Sequence, residues 1–334
     1  MRARGLGIAV GTGRPGPLNA ITDVAGVRVG HTTLIEGDDV RTGVTIVDPG
    51  ALPECHAAPF RLNGNGEMTG LEWVRESGFL TTLVGITNTF SVGVVRDAIV
   101  AAAVREGTQE WHLPVVAETY DGRLNDIEGM HVTREHVFAA IDALAAGPVA
   151  EGCVGGGTGM VCHGFKGGIG TSSRLTEDKH TVGVLVQANH GRRNRLTIDG
   201  VPVGRELGLD VVPLPAPDSP AGSIIVLVAT DAPLLPHQCE RLAVRAALGI
   251  ARTGGAGENS SGDLVLAWST TGHASPPVAN EQIDPLFYAT IEATEESIVN
   301  ALVAAETTTG RGGFTIPALP RDLLLDTLRR HGRL

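Results

Sequence analysis

The clearest capacity for chemistry in this sequence lies in one pentapeptide, Asn259-Ser260-Ser261-Gly262-Asp263. A glycine-rich run precedes it at residues 254–257, and an apolar run typical of a buried strand follows it at residues 264–268. Glycine relieves crowding at sharp turns, so the pattern favours a turn that presents a serine hydroxyl as a nucleophile. Taken alone, the pentapeptide fits an ordinary loop better, because the same residue types are common turn formers.

The sequence also limits how such a serine could be activated. The G-x-S-x-G pattern of α/β-hydrolases is absent around both serines. A serine that becomes N-terminal by cleavage of its own preceding bond can use its α-amino group as the base, and the usual pKa of that group, about 7.7 to 8.0, suits neutral pH. Ser261 is placed for this chemistry. A cut between Ser260 and Ser261 would leave fragments 1–260 and 261–334, the second of 334 − 260 = 74 residues.

Length and charge restrict the function classes. The 334 residues, 42% of them hydrophobic, can bury a large core, and we expect one catalytic domain over residues 1–334. The 37 acidic and 26 basic side chains give a net charge of -11, which argues against nucleic acid or an anionic membrane as partner. No signal-peptide pattern and no long apolar run is evident, so the sequence predicts a cytoplasmic protein without a membrane span.

Cysteine and histidine spacing gives no metal signature. The cysteines include no C-x-x-C pair, which argues against a disulfide framework and against a chelating loop. They are Cys55, Cys153, Cys162 and Cys239. His163 and His190 lack the H-x-x-x-H spacing that places two ligands on one helix face. The sequence therefore predicts no metal, and polar or surface positions for these histidines.

Two glycine-rich runs, at residues 155–159 and 164–168, invite comparison with phosphate-binding loops. A P-loop needs lysine directly after its second glycine and then Ser or Thr, whereas Lys166 lies between Phe165 and Gly167. Residues 164–173 are also too rich in glycine for the helix that follows a dinucleotide fingerprint. We therefore predict no nucleotide cofactor and interpret these glycines as points of close backbone packing.

Hydrophobic periodicity predicts alternating strands and helices along the whole chain. The predicted strands are 19–31, 43–47, 83–86, 113–117, 181–188, 223–230 and 264–269. The predicted helices are 70–76, 91–105, 134–146, 236–249 and 283–305. Four prolines between 213 and 220 predict a surface excursion within one fold rather than a domain boundary.

Five stretches in the same order along the chain carry a family resemblance. They read ITDV at 21–24, VGHT at 29–32, GFKGGIGTSS at 164–173, ATDAPLLP at 229–236 and NSSGD at 259–263. The sequence resembles the family of self-processing L-aminopeptidase/D-amidase-esterases and β-peptidyl aminopeptidases. The resemblance implies an α/β fold, a four-layer α/β/β/α sandwich like that of N-terminal-nucleophile hydrolases. It also implies cleavage directly before the serine of a Ser-Gly-Asp sequence, and so makes Ser261 the nucleophile.

The resemblance further implies two helper residues on a later helix. Family members use a hydroxyl residue and a glutamate two positions apart to orient the amine and hydroxyl of the nucleophile. The segment 293–297 matches that region, so Thr294 and Glu296 are the candidates. Without the resemblance, Glu295 and Glu296 would be interpreted as solvated carboxylates near the start of a helix.

Three more candidates surround the substrate in this interpretation. Asn189 closes an apolar strand and could donate its amide to an oxyanion, with Tyr120 as a second donor. Glu118 could hold the ammonium group of the substrate, because an aminopeptidase needs a fixed negative charge there. The structural alternatives are a strand-ending turn residue for Asn189 and a half-buried core aromatic for Tyr120.

The sequence thus predicts a hydrolase that releases N-terminal residues from small peptides, amides or esters without a metal or organic cofactor. The resemblance implies a homo-oligomer, such as a tetramer of cleaved pairs. Two alternatives stay open: an acyltransferase resembling the self-processing ornithine acetyltransferases, and a non-catalytic binding protein. The preference between α- and β-amino acids, and between L and D, is also open.

Overall fold

The computed structural model describes residues 1–50, 55–108, 111–215, 222–272 and 275–334. The proline-rich excursion predicted at 213–220 therefore lies outside the described residues from position 216 onward. The described strands are β1 (Arg28–Glu36), β2 (Val40–Asp48), β3 (Cys55–Gly64), β4 (Phe79–Leu80), β5 (Val84–Asn88), β6 (Val115–Thr119), β7 (Val161–Cys162), β8 (Phe165–Lys166), β9 (Gly168–Leu175), β10 (Thr181–Ala188), β11 (Ile224–Thr230), β12 (Gly262–Ser269), β13 (Thr308–Thr309) and β14 (Thr315–Ile316). The described helices are α1 (Leu71–Ser77), α2 (Val92–Arg105), α3 (Arg134–Asp142), α4 (Val203–Glu206), α5 (Pro236–Arg252), α6 (Asp284–Ala304) and α7 (Arg321–Arg330). None of these helices has the length and apolar character that crossing a membrane requires.

Ten of the described strands form two sheets. The four-stranded sheet has the order β1-β2-β5-β6 and is antiparallel except between β5 and β6. The six-stranded sheet has the order β4-β3-β12-β11-β10-β9 and is antiparallel except between β11 and β12. The other four strands pair as β7 with β8 and β13 with β14.

The central strands bury both of their faces. In β11, Ile225 and Leu227 belong to a core shared with the four-stranded sheet. Val226 and Val228, which point the opposite way, belong to the core beneath α5 and α6. Because neither face meets water, the strand is an uninterrupted apolar run rather than an alternating one.

A third core lies on the far side of the four-stranded sheet. Ile46 and Val116 of that sheet pack there with Val95 of α2 and Val137 of α3. The layers of the protein are therefore helix, sheet, sheet and helix. The predicted four-layer α/β/β/α sandwich is confirmed.

The strand predicted at 19–31 is wrong over its first part. Residues 21–23 form a single 3-10 turn, and β1 begins only at Arg28. The Asp23 carboxylate accepts hydrogen bonds from the backbone N–H groups of Leu18 and Ala20, at 2.9 and 3.1 Å. Local contacts of this kind stabilise a turn in competition with a strand.

Periodicity also missed β3, β9 and α7. The sequence of β9 contains glycines and serines, which are poor strand signals. The composition has a packing reason: a Cβ at Gly170 would lie 2.0 Å from the Ser297 carbonyl oxygen of α6. Close contact between this strand and α6 therefore requires glycine at that position.

Strand ends at one edge of the six-stranded sheet position the candidate site. Gly262 begins β12 and pairs with Gly64, the last residue of β3. Asp263 pairs with Ile224, the first residue of β11, and Ile224 also pairs with Ala188, the last residue of β10. These ends are in register, so the residues just beyond them meet at one edge. They are Ser261, Asn65, Ser223 and Asn189.

The four-stranded sheet contributes the ends of β5 and β6 to the same place. These strands are parallel, with Asn88 paired with Thr119. Gln187 of β10 ties the two sheets together here, because its amide donates to the Thr87 carbonyl oxygen at 3.0 Å and to the Thr119 hydroxyl at 2.8 Å. Glu118 and the residues after each strand therefore face Ser261 across the junction of the two sheets.

Candidate active site

A cavity of about 510 Å³ opens at this junction. Its walls include Asn65, Glu118, Tyr120, Asn189, Ser223 and Ser260. Four of the predicted site residues, Glu118, Tyr120, Asn189 and Ser260, therefore line one cavity, and Ser261 directly follows the last of them. The size suits a small ligand.

Ser261 lies in a closed turn, as the sequence predicts. Its backbone N–H donates to the Glu258 carbonyl oxygen at 2.8 Å. Its Oγ lies 2.8 Å from the same carbonyl oxygen and 2.7 Å from Oδ2 of Asp263, so two acceptors compete for one hydroxyl proton. The residue is 1% exposed, and its hydroxyl is therefore held in place rather than solvated.

Two asparagines at the end of β3 hold the carbonyl groups around Ser261. Asn65 donates from Nδ2 to the Ser260 carbonyl oxygen at 2.8 Å and from its backbone N–H to the Ser261 carbonyl oxygen at 3.1 Å. Asn63 donates from Nδ2 to the carbonyl oxygens of Ser261, at 2.6 Å, and of Glu258, at 2.8 Å. Sequence reasoning missed both residues, although the run Asn-Gly-Asn-Gly at 63–66 is an evident turn signal.

Asp263 is a buried carboxyl group next to the candidate nucleophile. Its Oδ2 accepts the hydrogen bond of Ser261, whereas its Oδ1 is buried without a partner among the described residues. Burial raises the pKa of Asp263 to about 6, and the hydrogen bond from Ser261 opposes that rise. The sequence motif contained this residue, but its type alone did not reveal a role.

The Asn189 side chain is held in one orientation. Val161 donates its backbone N–H to Oδ1 at 2.7 Å, which fixes the amide nitrogen on the opposite side. That nitrogen donates one hydrogen bond to the Tyr120 carbonyl oxygen at 3.0 Å. Asn189 is 5% exposed and lines the cavity, so it has the fixed geometry that an oxyanion donor needs.

Tyr120 also lines the cavity, but its side chain is 50% exposed. Tyr120 is therefore half-buried, as the structural alternative expects, but it belongs to none of the three hydrophobic cores. Its backbone carbonyl has the clearest structural task, since it anchors the amide of Asn189.

Glu118 forms the anionic wall of the cavity. Its carboxylate accepts from the Glu67 backbone N–H at 2.9 Å and from the Thr89 hydroxyl, and the residue is 4% exposed. Burial raises the pKa of Glu118, the two hydrogen bonds lower it, and the neighbouring charge of Glu67 raises it further. A substrate ammonium at this wall would favour the charged carboxylate by direct pairing.

The structure does not bring Thr294 and Glu296 to Ser261. Residues two apart on an α-helix lie about 200° apart around its axis, so one helix cannot present both to the same group. Thr294 faces α5, where Gly249 packs against it, and its hydroxyl donates to the Thr290 carbonyl oxygen at 2.8 Å. Neither residue lines the cavity.

Glu296 has a different set of partners. Arg4 donates from Nε at 3.0 Å, Arg174 from Nη2 at 2.7 Å and Asn19 from Nδ2 at 2.5 Å. Arg174 pairs across β9 and β10 with Val182, six residues from the site end of β10 at Ala188. The pairing of Glu296 with Ser261 expected from the resemblance is therefore corrected: in the continuous chain this carboxylate binds two arginines instead.

Three possible metal ligands cluster behind the cavity wall. Atoms of Cys162, His163 and His190 lie within 4.8 Å of one another, and all three residues are buried. Sequence spacing missed this cluster because its members lie at the ends of two different strands, β7 and β10. Of the polar or surface positions predicted for the histidines, the surface position is wrong. Burial raises the pKa of the Cys162 thiol to about 12 and lowers the pKa of His163 to about 4. Burial thus opposes formation of the thiolate that zinc prefers.

A profile of Peptidase family S58 matches residues 19–316. A beta-peptidyl aminopeptidase, BapA, of Sphingosinicella microcystinivorans is 48% identical over 369 aligned positions, which cover 100% of this chain and 93% of that protein. The structure of a Burkholderia beta-aminopeptidase superposes with a TM-score of 0.93 at 51% identity, covering 99% of both chains. The Ochrobactrum anthropi L-aminopeptidase D-Ala-esterase/amidase, described as a prototype of the serine aminopeptidases with a variant Ntn hydrolase fold, gives a TM-score of 0.89 at 43% identity, covering 100% of this chain and 99% of that one.

Proposed function

The chain belongs to Peptidase family S58 and is an aminopeptidase, and from this premise we propose that Ser261 is its nucleophile once the Ser260–Ser261 bond has been cut. The observation that carries the proposal is the position of Ser261 in a tight turn, directly behind a cavity with an anionic wall and a fixed amide donor. The family favours hydrolysis over the acyl-transfer and binding-only alternatives.

The proposed reaction uses one residue for each task. Glu118 binds the ammonium group of the substrate, and Asn189 donates a hydrogen bond to the oxygen of the scissile carbonyl. Ser261 Oγ attacks the carbonyl carbon while its free α-amine takes the hydroxyl proton. The same ammonium then protonates the leaving amine, and water hydrolyses the acyl-serine ester. No step of this proposed reaction is assigned to a cofactor.

For the substrate, we propose peptides and amides with an N-terminal β-amino acid residue. The support is the similarity to a beta-peptidyl aminopeptidase and to a beta-aminopeptidase at 48% and 51% identity. A β-amino acid places one more carbon between amine and carbonyl, so the distance from Glu118 to Ser261 selects between the two classes. Assembly into a homo-oligomer of cleaved pairs and a cytoplasmic location stay predictions of the sequence and the resemblance.

The test compares p-nitroanilides of β-homoalanine and L-alanine as substrates. We expect a higher kcat/KM for the β-homoalanyl compound, and loss of both activities in Ser261→Ala. Ser275→Ala, an exposed serine of the same fragment, is the matched control and should keep wild-type rates. Equal activity of Ser261→Ala and wild type would contradict the nucleophile, whereas a preference for L-alanine would contradict only the substrate class.

A further inference from the structure

Self-cleavage cannot use the base that we propose for the mature enzyme. Before the cut, the nitrogen of Ser261 belongs to a peptide bond, and an amide nitrogen is not a base at neutral pH. The amine that serves the cut enzyme therefore cannot start the reaction that creates it. Another group near Ser261 must accept the hydroxyl proton.

We propose that Asp263 accepts this proton during self-cleavage and that Asn65 stabilises the oxyanion that forms on the Ser260 carbonyl. The inference rests on the self-processing proposed above and assigns the groups that perform it. It gives the reaction a base and an oxyanion donor that differ from those proposed for the mature enzyme.

The geometry of Asp263 suits a proton acceptor. Its Oδ2 already receives a hydrogen bond from Ser261 Oγ at 2.7 Å, which is within the range for direct proton transfer. Its Oδ1 has no hydrogen bond of normal geometry among the described residues, and the nearby Ile224 N–H lowers the pKa of the carboxyl less than burial raises it. Burial holds the pKa of Asp263 near 6, close to the operating range of a general base.

Asn65 is aimed at the oxygen on which negative charge would develop. Its Nδ2 lies 2.8 Å from the Ser260 carbonyl oxygen, which is the carbonyl of the bond to be cut. Its backbone N–H binds the next carbonyl along the chain at 3.1 Å, so the residue is fixed on both sides of that bond. A donor that is already in place needs no reorganisation when the charge forms.

The spacing of Ser-Gly-Asp follows from this arrangement. Residues two apart in an extended segment point to the same side, which places the Asp263 carboxylate beside the Ser261 hydroxyl. The residue between them must be small: a Cβ at Gly262 would lie 2.7 Å from the Asn65 carbonyl oxygen and 2.7 Å from the Gly66 Cα. Glycine therefore lets the end of β3, with Asn65, approach the bond to be cut.

Water is the one further reactant that the proposed cleavage needs. Asp263 takes the proton of Ser261 Oγ, and Oγ forms a bond to the Ser260 carbonyl carbon while the carbonyl oxygen takes up the negative charge. Collapse of this intermediate breaks the bond from carbon to the Ser261 nitrogen, which receives the proton from Asp263. The resulting ester is hydrolysed by water, which leaves a Ser260 carboxylate and a free Ser261 amine and hydroxyl.

The experiment follows conversion of the full chain after cell-free synthesis, by denaturing gel and intact mass. We expect Asp263→Asn to slow cleavage at least about 100-fold, as loss of a general base does. Asn65→Ala should slow it about 100-fold, as loss of an oxyanion donor does. Asn63→Ala is the matched control from two residues earlier in the chain, because Asn63 binds the carbonyl oxygens of Glu258 and Ser261, at 2.8 and 2.6 Å, but not that of Ser260. It should slow cleavage less than tenfold, in contrast to Asn65→Ala.

Cleavage of Asp263→Asn at the wild-type rate would overturn the role of Asp263, and equal slowing by Asn63→Ala and Asn65→Ala would overturn that of Asn65.

Should Asp263→Asn fail to fold, the pH dependence of wild-type cleavage tests the role of Asp263 instead. Glu258, which faces Asp263 and pairs with Arg192 at 3.0 Å, raises the pKa of Asp263 slightly. The rate should fall about tenfold per pH unit below pH 6, and a flat profile would overturn the proposal. An uncut wild-type chain would instead contradict self-processing, on which this inference rests.

Discussion

Two buried polar clusters lie towards opposite ends of the six-stranded sheet, and they differ in how completely their charges are paired. The Glu296 carboxylate is bound by Arg4, Arg174 and Asn19. At the other end, the Asp263 carboxylate has one oxygen without a partner among the described residues, and its pKa is raised to about 6. Six residues of β10 separate the two clusters, or roughly 20 Å at the usual rise per residue.

The difference indicates which cluster stabilises the fold and which performs chemistry. A carboxylate that is surrounded by guanidinium and amide donors has no acceptor capacity left for a substrate. A buried carboxyl group without such partners is held near the pH at which it can exchange a proton. The Glu296 cluster joins the N-terminal segment to α6 and β9, whereas the Ser261 edge keeps its groups available beside a cavity.

We expect the largest effect on stability from removal of the Glu296 charge, which tests whether that cluster stabilises the fold. Glu296→Gln removes the charge that Arg4 and the buried Arg174 share, while Arg174 keeps its pairing with Glu292 at 3.1 Å, and we expect a loss of about 3 kcal/mol in the free energy of unfolding. Urea denaturation in a Ser261→Ala background measures this on a single uncut chain. In the Ser261 wild-type background, kcat/KM of the folded enzyme should change little, and a large fall in kcat without a loss of stability would restore the orienting role implied by the resemblance.

Removal of the Asn189 side-chain amide tests the other end of the six-stranded sheet, where Ser261 lies. We expect Asn189→Ala to lower kcat about 10²- to 10³-fold with a small change in KM, because the donor acts on charge that forms in the transition state. Asn189→Asp is the sharper variant, since its carboxylate still accepts from the Val161 N–H but cannot donate. Wild-type kcat in Asn189→Asp would exclude Asn189 as the oxyanion donor.

Neutralising Glu118 should weaken substrate binding, with a smaller effect than that of Asn189→Ala on kcat. Glu118→Gln keeps the acceptor for the Glu67 N–H but loses the charge that binds the ammonium, which is worth about 1.5–3 kcal/mol. We therefore expect KM to rise about 10- to 100-fold, measured by initial rates across substrate concentration. The exposed Glu76 of α1 lies outside the cavity lining and provides the control, because Glu76→Gln should leave KM nearly unchanged. Equal KM values for Glu118→Gln and wild type would move the ammonium site elsewhere.

Thr294 should give the smallest effect. Among the described residues its hydroxyl bonds only to Thr290 of α6, so Thr294→Ser keeps that contact and loses one methyl group against α5. We expect about 1 kcal/mol or less in stability and no change in kcat, by urea denaturation and steady-state kinetics. A tenfold fall in kcat would contradict its placement outside the site.

The sequence was sufficient for the layers of the fold and for most of the cavity. Hydrophobic periodicity predicted the alternating strands and helices, and the family resemblance implied the four-layer sandwich and singled out Ser261 of the Ser-Gly-Asp motif. Asn189 and Glu118 were chosen because they match the family's oxyanion and substrate positions, each directly follows a predicted apolar strand, and each has a side chain suited to its task. Their strands end at the same place, which brings them to the same cavity.

The rest depends on contacts between distant segments. The partners of Glu296 come from residues 4, 19 and 174, so no local pattern shows that this carboxylate is already bound. Asn65 gains its importance from a strand pair that joins positions 64 and 262, and β3 itself has no clear periodicity. The family resemblance paired Glu296 with Thr294 as helpers of Ser261. Only the geometry of α6 shows that the two side chains point in different directions.

Intact mass under denaturing conditions, for wild type and Ser261→Ala, tests the central claim most directly. We expect wild-type protein to give two fragments, residues 1–260 and 261–334, and the mutant to give one chain of full mass. The cut would then lie at the bond whose carbonyl Asn65 holds and whose serine contacts Asp263. A wild-type chain of full mass that still hydrolyses aminoacyl p-nitroanilides would contradict the claim that Ser261 acts through a newly formed N-terminal amine.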